Sequence, residues 1–321
     1  MYDTEKLTDI AEDTFKGFSA SPKFHYSKYF YDDRGSKIFQ DIMNMPEYYL
    51  TNCEEEIFMD QKQDIFQSFN PGNERFDVIE LGAGDGMKTK ILLKYFKNKN
   101  ANFTFMPIDI SEEAVNILVN DLSKNFPQIN VDPKIGDYFQ MMEEINSYDS
   151  APKIILFLGS NIGNYNESES IDFFSHLRRV MNQGDKLFIG FDLKKDPKII
   201  LDAYDDPHGH TAAFNLNLLQ RLNDELGANF NLEQFKHQEV YDPQTGTAKS
   251  FLISLVKQSA YIQGLEKSFE FDQWETIYTE MSQKYDLKMI VSFADRCGFE
   301  IVRNFTDSRQ YFMNSLWKLK L

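Results

Sequence analysis

At 321 residues the chain is longer than a single hydrophobic core usually spans, so two domains, or one domain with a subdomain, are expected. Acidic residues outnumber basic ones 50 to 34, for a net charge of −16, and such a surface argues against nucleic acid or an anionic membrane as partner. Aromatic residues make up 15% of the chain, which argues against disorder, and Cys53 and Cys297 stand in no CxxC or zinc spacing, as befits a reducing compartment.

In chain order, "MYDTEKLTDIAEDTF" is acidic and amphipathic, without the basic and apolar regions of a signal peptide. No run reaches membrane-spanning length, so a cytoplasmic location is expected. Residues 1–68 read as mostly helical. Within them "PEYYLTNCEEEIF" predicts a helix with Thr51 as its cap and Glu54 completing a capping box. The adjacent Tyr48 and Tyr49 either pack under that helix or lend one phenol to a pocket.

From Phe76 strands and helices alternate: "FDVIEL", "FTFMPIDI", a strand within "INVDPKIGDYFQ", "KIILFLGS" and "KLFIGFDL". Ser111 is placed to cap the helix after the second of these. Alternation of this kind predicts parallel βαβ units with helices on both faces. Residues 192–282 break the pattern with a polar-faced helical stretch and a hairpin around "DPQTGT". A helix and two strands then return, the strands close enough to pair antiparallel at a sheet edge. The division expected is a smaller domain of residues 1–60 and 192–282 and a doubly wound domain of residues 61–191 and 283–321.

"VIELGAGDGMKTK" runs from a strand through Gly82, Gly84 and Gly86 into a helix. Glycines there let the backbone turn tightly and approach a ligand at a helix N-terminus. Asp109 ends the following strand, where a carboxylate can accept from ribose hydroxyls. The Gly-x-Gly-x-Gly spacing lacks the gap of the dinucleotide fingerprint and resembles the nucleoside loop of class I S-adenosylmethionine-dependent methyltransferases. The plain alternative is a tight strand–helix turn.

Longer blocks carry a narrower resemblance: "YFYDDRGSKIFQDI" with "PEYYLT", "ELGAGDGMKTKILL", "FLGSNIGNY", "DLKKDPKIILDAYDDPHGHTAAFNLNLLQRLN" and "TEMSQKY". In this order, over nearly the whole chain, they resemble the histidine-specific Nα-methyltransferases, whose known activity trimethylates L-histidine to hercynine on the way to ergothioneine. The resemblance implies an α/β fold: a Rossmann-like doubly wound class I sheet with an antiparallel C-terminal edge strand, plus a smaller α+β substrate-binding domain. It implies S-adenosyl-L-methionine as cofactor and a small amino-acid substrate; a monomer is expected, and the acidic charge already argues against nucleic-acid or membrane partners.

Carried over position by position, the cofactor residues fall on Gly82, Lys88, Asp109, Asp137 and Tyr138. The substrate residues fall on Tyr48, Gly159, Asn164, Tyr204, Glu280 and Ser282, the last two toward the imidazole. Tyr31 matches a phenol near the methyl-accepting amine. From the residues alone, Lys88 reads first as a solvated helix lysine, and Asp137 can be a turn residue, Asn164 a turn former, Glu280 a helix-start carboxylate and Tyr31 core. Phe251 stands where relatives carry methionine against the imidazole, and a stiffer ring there bears on side-chain preference. His208 and His210 lack a third ligand and read as loop residues, so no metal is expected. The same chemistry on another amino acid or a histidine derivative, and an inactive amino-acid-binding module on this fold, are the alternatives.

Overall fold

The computed structural model describes residues 4–69 and 74–320; residues 1–3 of the acidic N-terminal stretch lie outside them. The chain divides into two compact units, residues 1–49 with 195–282 and residues 50–194 with 283–321. The helix Tyr49–Phe69 runs with the second unit from Leu50 onward. Its aromatics explain why: Phe58 and Phe69 pack on Phe188, at ring distances of 6.1 and 5.3 Å.

The larger unit is built on an eight-stranded sheet. Its order is Phe299–Thr306, Phe312–Leu319, Lys186–Asp192, Lys153–Phe157, Phe76–Leu81, Phe103–Asp109 and Asn130–Val131, with Lys134–Ile135 also paired to Phe103–Asp109. All pairings are parallel except those of Phe312–Leu319, which runs antiparallel to both neighbours. Strands such as Phe76–Leu81 and Lys153–Phe157 are buried along their whole length because helices cover both faces, and their sequences are correspondingly apolar. Trp317, Phe174, Phe157 and Met106 lie at the centre of one core.

The antiparallel C-terminal strand was expected at the sheet edge; it lies one place inside, with Phe299–Thr306 outermost. Its burial accounts for this: Phe312 through Trp317 are all buried, whereas Phe299–Thr306 is largely exposed or half-exposed, as an edge strand can be. The strand order reverses between Phe76–Leu81 and Lys153–Phe157, and the crevice at the carboxyl ends beside such a reversal is where ligands bind in open α/β sheets.

At the carboxyl end of Lys186–Asp192 the chain leaves this unit, and it returns at Gln283. The two passes are zipped together. Tyr285 N donates to Asp192 O and Lys194 N donates to Tyr285 O, both at 2.8 Å. Lys284 and Asp192 form a fully buried ion pair at 2.8 Å, and Tyr285 Oη donates to Ile162 O at 3.0 Å.

The smaller unit has a four-stranded sheet in the order Lys23–Phe24, Thr276–Gln283, Thr247–Ser254, Phe235–Asp242, the last two joined as the hairpin read from "DPQTGT". The helix His210–Leu226 contributes Phe214, Leu218 and Leu222 to a core shared with Phe18, Phe30, Phe271 and Ile277. Asp32 caps the helix Asp33–Asn44, accepting from Gly35 N at 2.6 Å and from Asn217 Nδ2 at 2.8 Å. That pairing ties the "YDDRG" stretch to the long helix. Among the described residues no helix is long and apolar enough to cross a membrane.

Candidate active site

In the larger unit the glycine loop follows the strand Phe76–Leu81 and leads into the helix Thr89–Asn98. Gly82, Gly84 and Gly86 all have positive φ, +73°, +51° and +60°. At Gly82 the need for glycine is twofold, because a Cβ would also stand 2.7 Å from the Tyr138 hydroxyl. Asp109 ends the next strand. Its Oδ2 accepts from Gly84 N at 3.2 Å and its Oδ1 from Ser111 N at 2.9 Å, so the carboxylate is fixed by the backbone on both sides. Ser111 caps the following helix, accepting from Ala114 N at 3.2 Å.

Asp137 is a helix cap rather than a simple turn residue. It accepts from Phe139 N at 2.9 Å and from Gln140 N at 3.2 Å at the start of Tyr138–Tyr148. Tyr138 beside it is half-buried, and burial raises its pKa, so the phenol stays protonated. Gly82, Asp109, Asp137 and Tyr138 therefore gather around one loop.

Lys88 is not a solvated lysine. Its ammonium is paired with Glu54, a fully buried carboxylate on the helix Tyr49–Phe69. Thr51 lies within that helix and Glu54 turns into the protein, so the expected capping box does not form. The apolar face carries Leu50, Cys53, Ile57 and Phe58, and Glu54 sits among them at helical spacing. Glu54 Oε2 also accepts from Gly159 N at 3.0 Å. The Gly159 amide hydrogen is thus engaged by that carboxylate. Asn164 closes the 3-10 turn Asn161–Asn164 just beyond, with its side chain exposed.

Glu80 is a second acid inside an apolar run. Thr89 Oγ1 donates to its Oε1 at 2.6 Å, and burial pushes its pKa up to about 8. It therefore braces the loop between strand and helix largely as the neutral acid at pH 7.

In the smaller unit the predicted residues form a connected set. Tyr31, 45% exposed, places its ring 5.5 Å from Phe39 and 5.3 Å from Phe214. Phe39 contacts Tyr48 at 6.2 Å, and Tyr48 contacts Tyr204 at 6.2 Å. The Tyr204 hydroxyl is 3.0 Å from Ser282 Oγ. Behind Tyr204, His237 is held neutral by burial and donates from Nε2 to the Tyr204 carbonyl at 3.0 Å. Glu280 and Ser282 lie on the strand Thr276–Gln283, not at a helix start, and alternate residues give them one face with Tyr278. Phe251 packs on Tyr278 at 5.7 Å. Tyr49, by contrast, is buried, and its hydroxyl accepts from Lys195 Nζ at 2.8 Å. Of the paired tyrosines Tyr48 alone joins the aromatic set.

Residues 10–319 match the family of histidine-specific, S-adenosylmethionine-dependent methyltransferases. The chain belongs to that family. It is 29% identical to the histidine N-alpha-methyltransferase of Mycobacterium tuberculosis, over 96% of this chain and 94% of that one. It is 30% identical, with the same coverage, to the histidine N-alpha-methyltransferase of Mycolicibacterium smegmatis. It is 26% identical to ergothioneine biosynthesis protein 1 of Schizosaccharomyces pombe, over 86% of this chain and 38% of that longer protein.

A histidine-specific methyltransferase takes S-adenosylmethionine, and the larger unit fits that molecule. The Gly82 cradle would be filled by any side chain, and Asp109 is a fixed acceptor at the end of the second strand. Ile110, next to it, is 74% exposed. Sequence reading took Glu54 for a capping residue and gave Glu80 no role. The signal for the two acids was present: each is a charge set at a buried period in an apolar pattern.

Proposed function

We propose that this protein transfers methyl groups from S-adenosylmethionine to the α-amino group of L-histidine, giving the trimethylated betaine hercynine on the way to ergothioneine. The observation that carries this reading is the strand face of Tyr278, Glu280 and Ser282, with Ser282 tied to Tyr204. A carboxylate and a hydroxyl on one face suit the two nitrogens of an imidazole, one donor and one acceptor. The names of the relatives support the same substrate and pathway.

The methyl donor, when bound, supplies an electrophilic carbon on a sulfonium. The residues of the chain supply position. Gly82 allows close backbone approach, Asp109 accepts from ribose hydroxyls, Asp137 and Tyr138 serve the adenine side, and Lys88 meets a carboxylate. Tyr48, Asn164, Tyr204 and the Gly159 backbone hold the amino-acid moiety of the substrate. Tyr31 orients the amine so that its neutral lone pair faces the methyl carbon; alignment of this kind and exclusion of water are the main catalytic resources of such a transfer. As methyl groups accumulate the amine loses its N–H donors, and the Tyr31 and Tyr48 rings can hold the resulting cation at ~0.5–2 kcal/mol each.

The test is mass spectrometry after incubating each of the twenty amino acids with enzyme and S-adenosylmethionine. Histidine gaining three methyl groups is expected. Preference for another amino acid would trace to Phe251 against Tyr278, and methylation of none would indicate a binding module.

A further inference from the structure

Glu54 is buried at a point where four segments of the larger unit converge. Its Oε2 accepts from the Lys88 ammonium and from Gly159 N at 3.0 Å, and its Oε1 accepts from Asn314 Nδ2 at 2.7 Å. These partners come from the start of the glycine-loop helix, the end of the strand Lys153–Phe157 and the interior of Phe312–Leu319. The fourth segment makes room. A Cβ on Gly190, in the strand Lys186–Asp192, would stand 2.7 Å from Glu54 Oε1.

A buried carboxylate persists only where donors and an opposite charge compensate it. With the Asn314 amide turned over, so that its Oδ1 accepts from the new Nε2, Asn314 and the Gly159 amide would satisfy a neutral glutamine in this place, so the negative charge is explained by Lys88. A lysine ammonium rides on a flexible four-carbon stem, and Lys88 retains partial exposure. Its partner Glu54 confines that stem. A Cβ on Gly159 would lie 3.6 Å from Lys88 Nζ, so the lysine is held at the carboxyl end of the strand Lys153–Phe157. The amino-acid arm of the methyl donor ends in a carboxylate, the group that a fixed ammonium recognises.

We propose that Glu54 is a positioning residue for the methyl donor: it holds the Lys88 ammonium in place to receive the donor's carboxylate, and in the same contact it fixes the Gly159 peptide. The proposal rests on Lys88 being a cofactor contact. Its specific consequence is that Glu54 matters only for ligands that carry that carboxylate.

The experiment is calorimetric titration of the whole protein with S-adenosylhomocysteine and with its decarboxylated analogue, which keeps the adenosine, thioether and amine. Glu54→Gln should weaken S-adenosylhomocysteine about tenfold, the scale of one charge-assisted hydrogen bond. The analogue should change by less than about twofold. Lys88→Met should give the same selective loss, and the double variant no further loss. Equal weakening of both ligands by Glu54→Gln would make Glu54 purely structural and overturn the proposal. A gain in S-adenosylhomocysteine affinity would overturn it too, since Glu54 would then compete with the ligand. If Lys88→Met is selective and Glu54→Gln is not, the proposal alone falls. If Lys88→Met is not selective, the reading of Lys88 falls with it. Should Glu54→Gln melt below assay temperature, Glu54→Asp keeps the charge but draws it back by one methylene. A smaller selective loss is then expected, and no selectivity counts against the proposal.

Discussion

Glu280 stands two residues before Ser282 on Thr276–Gln283, and strand alternation gives both side chains to one face. Ser282 is already engaged with Tyr204, while Glu280 is half-buried. A carboxylate in that position rewards a ring N–H and penalises a ring that has none. Glu280→Ala should therefore cost ~1–3 kcal/mol in transition-state binding of histidine, about ten- to a hundredfold in kcat/KM. Affinity for S-adenosylhomocysteine should stay near wild type, because the cofactor residues lie in the other unit. The gap between histidine and phenylalanine should narrow. Kinetics on histidine, tryptophan and phenylalanine check this; equal losses on all three would make Glu280 a structural residue.

At the level of elements, much of the larger unit is legible in the sequence. Runs such as "FDVIEL", "KIILF" and "KLFIGFD" are apolar throughout because the strands are buried on both faces, and their alternation with helices fixes the parallel sheet. The glycine loop and Asp109 are legible for the same reason, since the chemistry sits where a strand ends. What is not legible depends on distant partners. Thr51 and Glu54 have the spacing of a capping box, yet Asn314, 260 residues away, and Lys88 draw Glu54 inward. Likewise, proximity in sequence pairs the last two strands but does not say which of them lies inside.

The N-terminal elements of the smaller unit make a pH prediction. His25 Nδ1 accepts from Tyr26 N at 3.0 Å, so Nε2 carries the proton and donates to Thr14 Oγ1 at 3.0 Å. Burial lowers the folded-state pKa from 6.5 to about 4. Below pH 6.5 the unfolded chain takes up a proton that the folded chain refuses, so the stability conferred by the neutral ring is present above that pH. It is lost as pH falls through the interval down to about 4, by up to ~3 kcal/mol. His25→Asn keeps an acceptor for Tyr26 N but does not titrate. Melting curves between pH 7 and 4 should fall less steeply for the variant than for wild type, and parallel curves would contradict the assignment.

For the whole molecule, the zipped contact at Asp192–Lys194 and Lys284–Tyr285 closes the segment 195–282 at its base. Since these two passes are already hydrogen-bonded, a linker of a few residues can replace that segment at small entropic cost. A chain of residues 50–321 with 195–282 replaced by such a linker should melt cooperatively and bind S-adenosylhomocysteine, but should not turn over histidine. Circular dichroism and calorimetry check the outcome, and a non-cooperative melt would show that the larger unit does not fold alone.

The inner place of Phe312–Leu319 sets an order on synthesis. Lys186–Asp192 leaves the ribosome long before the strand that will cover its outer side, with all of 195–282 made in between. For that interval "LFIGF" is the open edge of a nascent sheet, wholly apolar and without a charge or proline to blunt it. Asn314, which Glu54 awaits, arrives with that same strand. Phe312–Leu319 thus acts as a seal, and a chain stopped short of it offers other chains the strand-pairing edge that the finished fold conceals.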